Sequence, residues 1–377
     1  MFSIKIRNLE EKDIIKLAEF LPLGLPIKSA DQWKNLFCMW WIDNPLMNPD
    51  FPRGWVLEKN GSEIIGFLGN IPVKFQINGT KGIAAAASSW YVKPEFQGFY
   101  SILLLLEFMK QKNVNLFLST TPSEKVRKIN LKLGFSTIEL PFNNSEYWYI
   151  INHQKFIHFL LNKRIKSCKL LSIIIKIVSF SIEFILPIRG ILKKKKEAKL
   201  KNNEFDCSIC TYCDDSFTEL WENNKKENTT TLYRDAETLN WLYFSKAVKN
   251  KRYVLKCIQK ENNKLVGYMV LDTTAQNKED INNLQLMDVY IPDIKEEIVL
   301  SLISSSIDMA KKFDVGALKF WAINQEMEKI LKKIIKIRRH KIYEYLYKLN
   351  KMDELETNEK KNHEFIPSRI DPDRGII

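Results

Sequence analysis

Histidine is scarce in this chain: four occur in 377 residues (His153, His158, His340 and His363), and none lies within 1–150. A Ser-His-Asp triad or a histidine-ligated zinc site in that first stretch is therefore excluded. The six cysteines, Cys38, Cys168, Cys207, Cys210, Cys213 and Cys257, are too few and too clustered for a disulfide scaffold, which fits a reducing cytoplasm. The start, Met1-Phe2-Ser3-Ile4-Lys5-Ile6-Arg7, lacks a charged-then-apolar leader pattern, so secretion is not expected. Long apolar runs free of charge are missing too. A spanning helix needs roughly 20 such residues, and Lys169, Lys176 and Glu183 interrupt the most apolar segment, 156–192.

What is present is enough apolar material for a packed core, 45% hydrophobic and 12% aromatic, over a length that suits two ordinary domains. Basic residues exceed acidic ones by 13, but 13 basic and 2 acidic residues fall between Lys155 and Lys201. A nucleic-acid binder carries its charge on a folded face; here the excess sits in one segment, so no nucleic-acid partner is expected.

Over residues 1–150 the pattern alternates between strand and helix. Ile4–Arg7 reads as a strand, with Asn8 and Glu11 as a capping box for a helix carrying Ile14, Ile15, Leu17, Ala18 and Leu21. Asp31–Trp41 reads as an aromatic-rich helix. Strands follow at Trp55–Glu58, Ile64–Phe75 and Ile83–Val92, then a helix at Ile102–Lys112, a strand at Leu116–Ser119 and a helix at Ser123–Leu133 stopped by Gly134. Residues 204–350 repeat that β-α-α-β-β-β-α-β-α order more faintly, which reads as an internal duplication. The resulting division is 1–150, a basic helical linker at 151–203, a second domain at 204–350, and a loose, flexible tail at 351–377.

Trp90-Tyr91-Val92-Lys93-Pro94-Glu95-Phe96-Gln97-Gly98 resembles the loop by which the GNAT superfamily of acyl-CoA N-acyltransferases binds its cofactor. Leu133-Gly134-Phe135 stands where that family ends its next helix, and Arg234-Asp235-Ala236-Glu237-Thr238-Leu239-Asn240-Trp241 looks like a segment of tandem bacterial GNAT proteins. The resemblance implies an α/β fold of two tandem GNAT-like mixed-sheet domains, an acetyl-CoA or other acyl-CoA cofactor, and a small-molecule or lipid-linked amine acceptor. It implies that Val92, Gln97, Gly98, Phe99, Tyr100, Ser101 and Ser123 bind the cofactor, with backbone N–H groups at a helix start facing the pyrophosphate. Two departures stand out. Tyr100 and Ile102 replace small residues, and Gln97 and Phe99 replace cationic ones. The second domain has no glycine between Ile291 and Asp314, and carries Asp293, Glu296 and Glu297 at the matching helix start, so cofactor binding there is not expected.

For chemistry, the resemblance implies that the N–H of Tyr91 or Val92 polarises the thioester carbonyl. The position of the usual tyrosine acid holds Asn130, and Ser88 and Ser89 replace a frequent glutamate. Either orientation and water-relayed proton transfer suffice, or catalysis has been lost and the chain is a binding protein. Within enzymes the options are N-acetylation of an amine, such as an amino sugar of surface polysaccharide, or aminoacyl transfer of the peptidoglycan cross-bridge type. Asp43, beyond the aromatic helix, is a candidate amine contact. Trp33, Phe37, Trp40 and Trp41 either shape an acceptor pocket or are core at helical spacing. No metal is expected: Cys207, Cys210 and Cys213 have metal-like spacing but no fourth ligand nearby. Residues 156–201 read either as an interfacial helix on an anionic membrane surface, led by Lys193–Lys196, or as a solvated inter-domain helix.

Overall fold

The computed structural model describes residues 3–26, 28–120, 122–138, 145–156, 200, 202–248, 251–274, 283–340, 345–350 and 364–366. The basic segment 157–199, with the linker-helix and membrane-surface expectations, lies outside the described residues.

In the first half the elements run β1 (Ile4–Asn8), α1 (Ile14–Phe20), α2 (Ala30–Phe37), β2 (Gly54–Lys59), β3 (Glu63–Ile77), β4 (Thr80–Val92), α3 (Phe99–Met109), β5 (Leu116–Ser119), α4 (Glu124–Lys132), β6 (Ser136–Ile138) and β7 (Ser145–Ile150). In the second half they run β8 (Phe205–Cys210), α5 (Asp215–Glu222), β9 (Thr229–Leu232), α6 (Ala236–Phe244), β10 (Arg252–Gln259), β11 (Lys264–Thr274) and β12 (Asn283–Tyr290). Then come α7 (Glu296–Lys312), β13 (Ala317–Phe320), α8 (Gln325–Ile334), β14 (Ile337–His340), β15 (Tyr345–Leu349) and β16 (Glu364–Ile366). The β-α-α-β-β-β-α-β-α order read from the first 150 residues is present. One cap differs: β1 continues through Asn8, and the first helical turn starts after Glu10, whose N–H donates to Asp13 Oδ2 at 2.9 Å. Asp13 takes that place because Arg7 already holds its carboxylate at 2.6 and 2.9 Å.

The chain forms two compact units that are not consecutive stretches. One comprises Met1–Leu140, Cys213–Lys249 and Tyr343–Ile377; the other comprises Pro141–Tyr212 and Asn250–Ile342. The linear division at 150, 203 and 350 therefore differs from the spatial one. In the first unit the sheet order is β1-β2-β3-β4-β5-β15-β6, with β9 pairing β3 and β16 pairing β9. In the second it is β14-β7-β13-β12-β11-β10-β8. Reading the second from β8 reproduces the first, with β7 where β15 stands in its counterpart. β7, from the first half, thus completes the second sheet and β15, from the second half, fills the matching place in the first, as a duplicated mixed-sheet fold would have it. Within the segment read as a tail, Glu364–Ile366 pairs in parallel with Thr229–Thr231.

The first unit's core gathers Leu57, Ile65, Leu68, Leu104, Phe108, Phe117 and Leu346 between the sheet and α3. Helix α3, apolar nearly all round in sequence, buries Leu104, Leu105 and Phe108 there, while Ile102, Leu103 and Leu106 stay half-exposed, so it is covered on one side rather than enclosed. The second unit's core forms the same way around α7, from Met269, Leu286, Leu302, Ile307 and Trp321.

Candidate functional site: a cleft between β4 and β5

β4 and β5 pair in parallel at Ala84↔Leu116, Ala85↔Phe117 and Ala86↔Leu118, and there the pairing ends. The cause lies on the other edge of β4. Gly69 pairs with Ser88 and Phe67 with Tyr91, so one β3 residue opposes both Ser89 and Trp90. This is a β-bulge, and Ser89 adopts a left-handed φ of 51° to make it. The bulge bends β4 away from β5, and the ladder opens into a cleft of about 460 Å³.

Its walls come from four places. β4 supplies Ala87 through Tyr91, β5 supplies Ser119, the start of α4 supplies Ser123 and Val126, and the α1–α2 region supplies Gly24, Lys28, Trp33 and Trp40. Helix α2 starts at Ser29, whose hydroxyl accepts from the Gln32 N–H. It continues past Phe37 as a π-helical turn, Cys38–Ile42, a distortion that occurs disproportionately at functional sites. That turn divides the aromatic residues between two tasks. Phe37 and Trp41 stack at 4.8 Å and the Trp41 indole donates to the Asn70 carbonyl at 2.9 Å, so they are core. Trp33 and Trp40 are buried but form cleft wall. All four rings are buried, as the core reading expects, and two of them, Trp33 and Trp40, also line the cleft.

Strand alternation assigns the open edge. The Lys93 N–H donates to the Ile65 carbonyl, which makes that pair hydrogen-bonded and the next pair, Gly66↔Val92, non-hydrogen-bonded. The Val92 N–H and carbonyl therefore face away from β3, and those of Tyr91 face toward it. Consistently, the Val92 carbonyl accepts from Gln97 Nε2 at 3.0 Å.

Gly98, with φ 86°, is the N-cap of α3, and the Ile102 N–H returns to its carbonyl. The N–H groups of Gly98, Phe99, Tyr100 and Ser101 precede that first intrahelical bond and have no acceptor within the helix. Phe99 is 68% exposed, and Tyr100 packs edge-on against Phe96; neither ring lines the cleft. A Cβ built on Gly98 meets nothing within 4 Å. Ile102 is not among the lining residues either, so neither Tyr100 and Ile102, which stand for small residues, nor Phe99, which stands for a cationic one, fills the cleft.

Of the other residues singled out in the sequence, Gln97, Ser123 and the Tyr91 side chain line the cleft. Ser123 also caps α4, accepting from the Val126 N–H. Asn130 is buried in α4 with no partner for its Oδ1, and does not line the cleft. Asp43 is exposed beyond the π-helical turn, away from the lining residues. Sequence reasoning missed Trp90, Lys28 and Ser119, because only the bulge brings them together. Among the described residues no group of three or more His, Cys, Asp or Glu could hold a metal ion.

In the second unit β12 and β13 pair in parallel over Asn283–Gln285, and a bulge interrupts β12 between Leu286 and Asp288. The fully buried Trp321, just past β13, donates its indole N–H to the Leu286 carbonyl at 2.9 Å. One side chain thus bridges the gap that stays open in the first unit.

No family model and no curated protein matches the sequence. Solved structures do. A GCN5-related N-acetyltransferase from Anabaena variabilis superposes with a TM-score of 0.58 at 10% identity, over 93% of this chain and 74% of its own. A probable N-acyltransferase from Enterococcus faecalis gives 0.58 at 8%, over 94% and 74%. The N-myristoyltransferase of Saccharomyces cerevisiae, solved with bound myristoyl-CoA, gives 0.53 at 11%, over 92% and 82%. The chain has the GNAT fold, in tandem. The end of β4 at Val92 and the start of α3 after Gly98 fall in the segment that sequence resemblance had pointed to. Among the described residues no helix is long and apolar enough to cross a membrane.

Proposed function

We propose that the first unit is an acyl-CoA-dependent N-acyltransferase, acting with acetyl-CoA or another acyl-CoA on an amine. The observation that carries this reading is the open cleft near a helix start whose first amides have no acceptor within the helix. Gly98 to Ser101 would hold the pyrophosphate through main-chain N–H groups and the helix dipole, with no need for the cationic side chains this chain lacks. Gln97 and Ser123, at the cleft wall, would contact the cofactor. The Val92 N–H, on the free edge of β4, would donate to the thioester carbonyl oxygen and to the oxyanion that forms there.

The amine nitrogen forms the new C–N bond, the C–S bond breaks, and the proton shed by nitrogen ends on the thiolate. With asparagine at position 130, orientation and water carry that transfer. The acceptor we favour is an amino sugar of surface polysaccharide. The second unit supports the first, since Trp321 closes its own gap. A cytoplasmic protein held at the membrane face by its basic segment would meet a lipid-linked amine; sedimentation with anionic but not neutral liposomes tests that. For the activity, acetyl-CoA binding by calorimetry and CoA release over a panel of amines are the measurements. Binding without release would leave a binding protein, release dependent on aminoacyl-tRNA would indicate the cross-bridge type, and neither binding nor release would end the enzyme reading.

A further inference from the structure

The cysteines of the second unit are related in a way that their spacing in sequence conceals. Cys207 and Cys210, three apart on β8, fall on opposite faces of the sheet and cannot meet. The residue directly opposite Cys207 is Cys257, on β10. The Lys260 N–H donates to the Glu204 carbonyl, which makes that pair a hydrogen-bonded one. Three steps along an unshifted register, Cys207↔Cys257 is therefore a non-hydrogen-bonded pair. Such pairs bring their Cα atoms to about 4.5 Å, with the side chains at their closest. A disulfide spans Cα separations of about 4.4–6.8 Å, so it fits here without backbone movement. Both thiols are free, and they are hydrogen-bonded to each other.

The two sulfurs differ in access and in acidity. Cys257 is fully buried in the core around α7, whereas Cys207 is half-buried on β8, the last strand of its sheet. The hydrogen bond from Cys257 outweighs burial and, with a weaker one from the Ser305 side chain on α7, holds the Cys207 thiol below its ordinary value. The same contact, with burial, pushes the Cys257 thiol up. Cys207 is thus the attacking sulfur and Cys257 the resolving one.

We propose that Cys207 and Cys257 are a reversible thiol–disulfide exchange site, closed by low-molecular-weight disulfides such as glutathione disulfide. The Cys207 thiolate attacks one sulfur of the small disulfide, forming a mixed disulfide and expelling one thiolate, which takes up the proton that Cys207 gave up. The Cys257 sulfur then attacks Cys207 Sγ, the bond to the small thiol breaks, and the second thiol leaves with the Cys257 proton. Two protein thiols are oxidised to one disulfide, and one small disulfide is reduced to two thiols.

The test takes the full chain, reduced and desalted, through incubation with glutathione disulfide, alkylation in denaturant and peptide mapping. Cys207 and Cys257 should both lose alkylation in most chains, their two peptides should appear joined, and excess reduced glutathione should restore both thiols. Cys257→Ala should replace the link by a glutathione adduct on Cys207, and Cys207→Ala should leave Cys257 without one. The wild-type map decides the matter even where a core variant fails to fold. Absence of the link, or a Cys207 adduct that persists beside a free Cys257, overturns the proposal. So does a link that excess glutathione leaves intact and only dithiothreitol opens, because that is a permanent staple and not an exchange site.

Discussion

Gly24 and the ring of Tyr91 are in direct contact: a Cβ built on Gly24 would fall 2.0 Å from Tyr91 Cε2. On its other side the ring packs against Phe20, with centroids 5.0 Å apart. The loop after α1 thereby fixes a residue of the bulged strand, and with it one wall of the cleft. Gly24→Ala should force Tyr91 out of this clamp. The expected outcome is at least a tenfold loss of kcat/KM with a modest fall in melting temperature, because the strain falls on the cleft wall; unchanged kinetics would separate Tyr91 from the site.

Gly98 matters for a different reason. Its φ of 86° is left-handed, and there is room for a side chain. Gly98→Ala should cost about 1 kcal/mol or more through backbone conformation alone. It should also weaken acetyl-CoA binding by reorienting the first amides of α3, as calorimetry on wild type and variant would show.

Trp321 closes the second unit's strand gap. Trp321→Ala should destabilise the protein by about 3–5 kcal/mol, read from denaturant unfolding, since it removes a fully buried ring and leaves the Leu286 carbonyl without its donor. Binding of acetyl-CoA should stay at one site per chain.

The exchanged strand gives a folding test. Leu346, on β15, is fully buried in the first unit although it lies in the second half of the sequence. Leu346→Asp should place an unpaired charge in that core and cost several kcal/mol. A chain ending before residue 343 should lose acetyl-CoA binding; retention of binding would show that the first unit does not need β15.

The Arg7–Asp13 pair sets a pH dependence. The hydrogen bonds from Arg7 hold the Asp13 carboxyl below its ordinary value of 3.8. A depressed carboxylate stabilises the fold above the unfolded value and ceases to do so as pH falls through the folded one. Asp13→Asn should therefore lower stability by about 1–3 kcal/mol at pH 7, and the difference from wild type should shrink below about pH 4. Melting curves at pH 7 and pH 3 compare the two.

Local sequence determined the elements themselves. The apolar spacing of α1, the alternation in β3, the cap at Ser123 and the stop at Gly134 are all set by neighbours within a turn or a hairpin. The internal duplication was legible for the same reason. Tertiary structure alone decided which strand completes which sheet, because β7 and β15 are both short, tyrosine-bearing strands with no local pattern that ties either one to a sheet. It also decided that the cleft exists. The bulge at Ser89 depends on how β4 meets β3, and Tyr100 and Phe99 stay out of the gap because Phe96 packs against one ring while the other faces water. Contacts between residues far apart in sequence leave no periodic trace in it, whereas helix and strand patterns do.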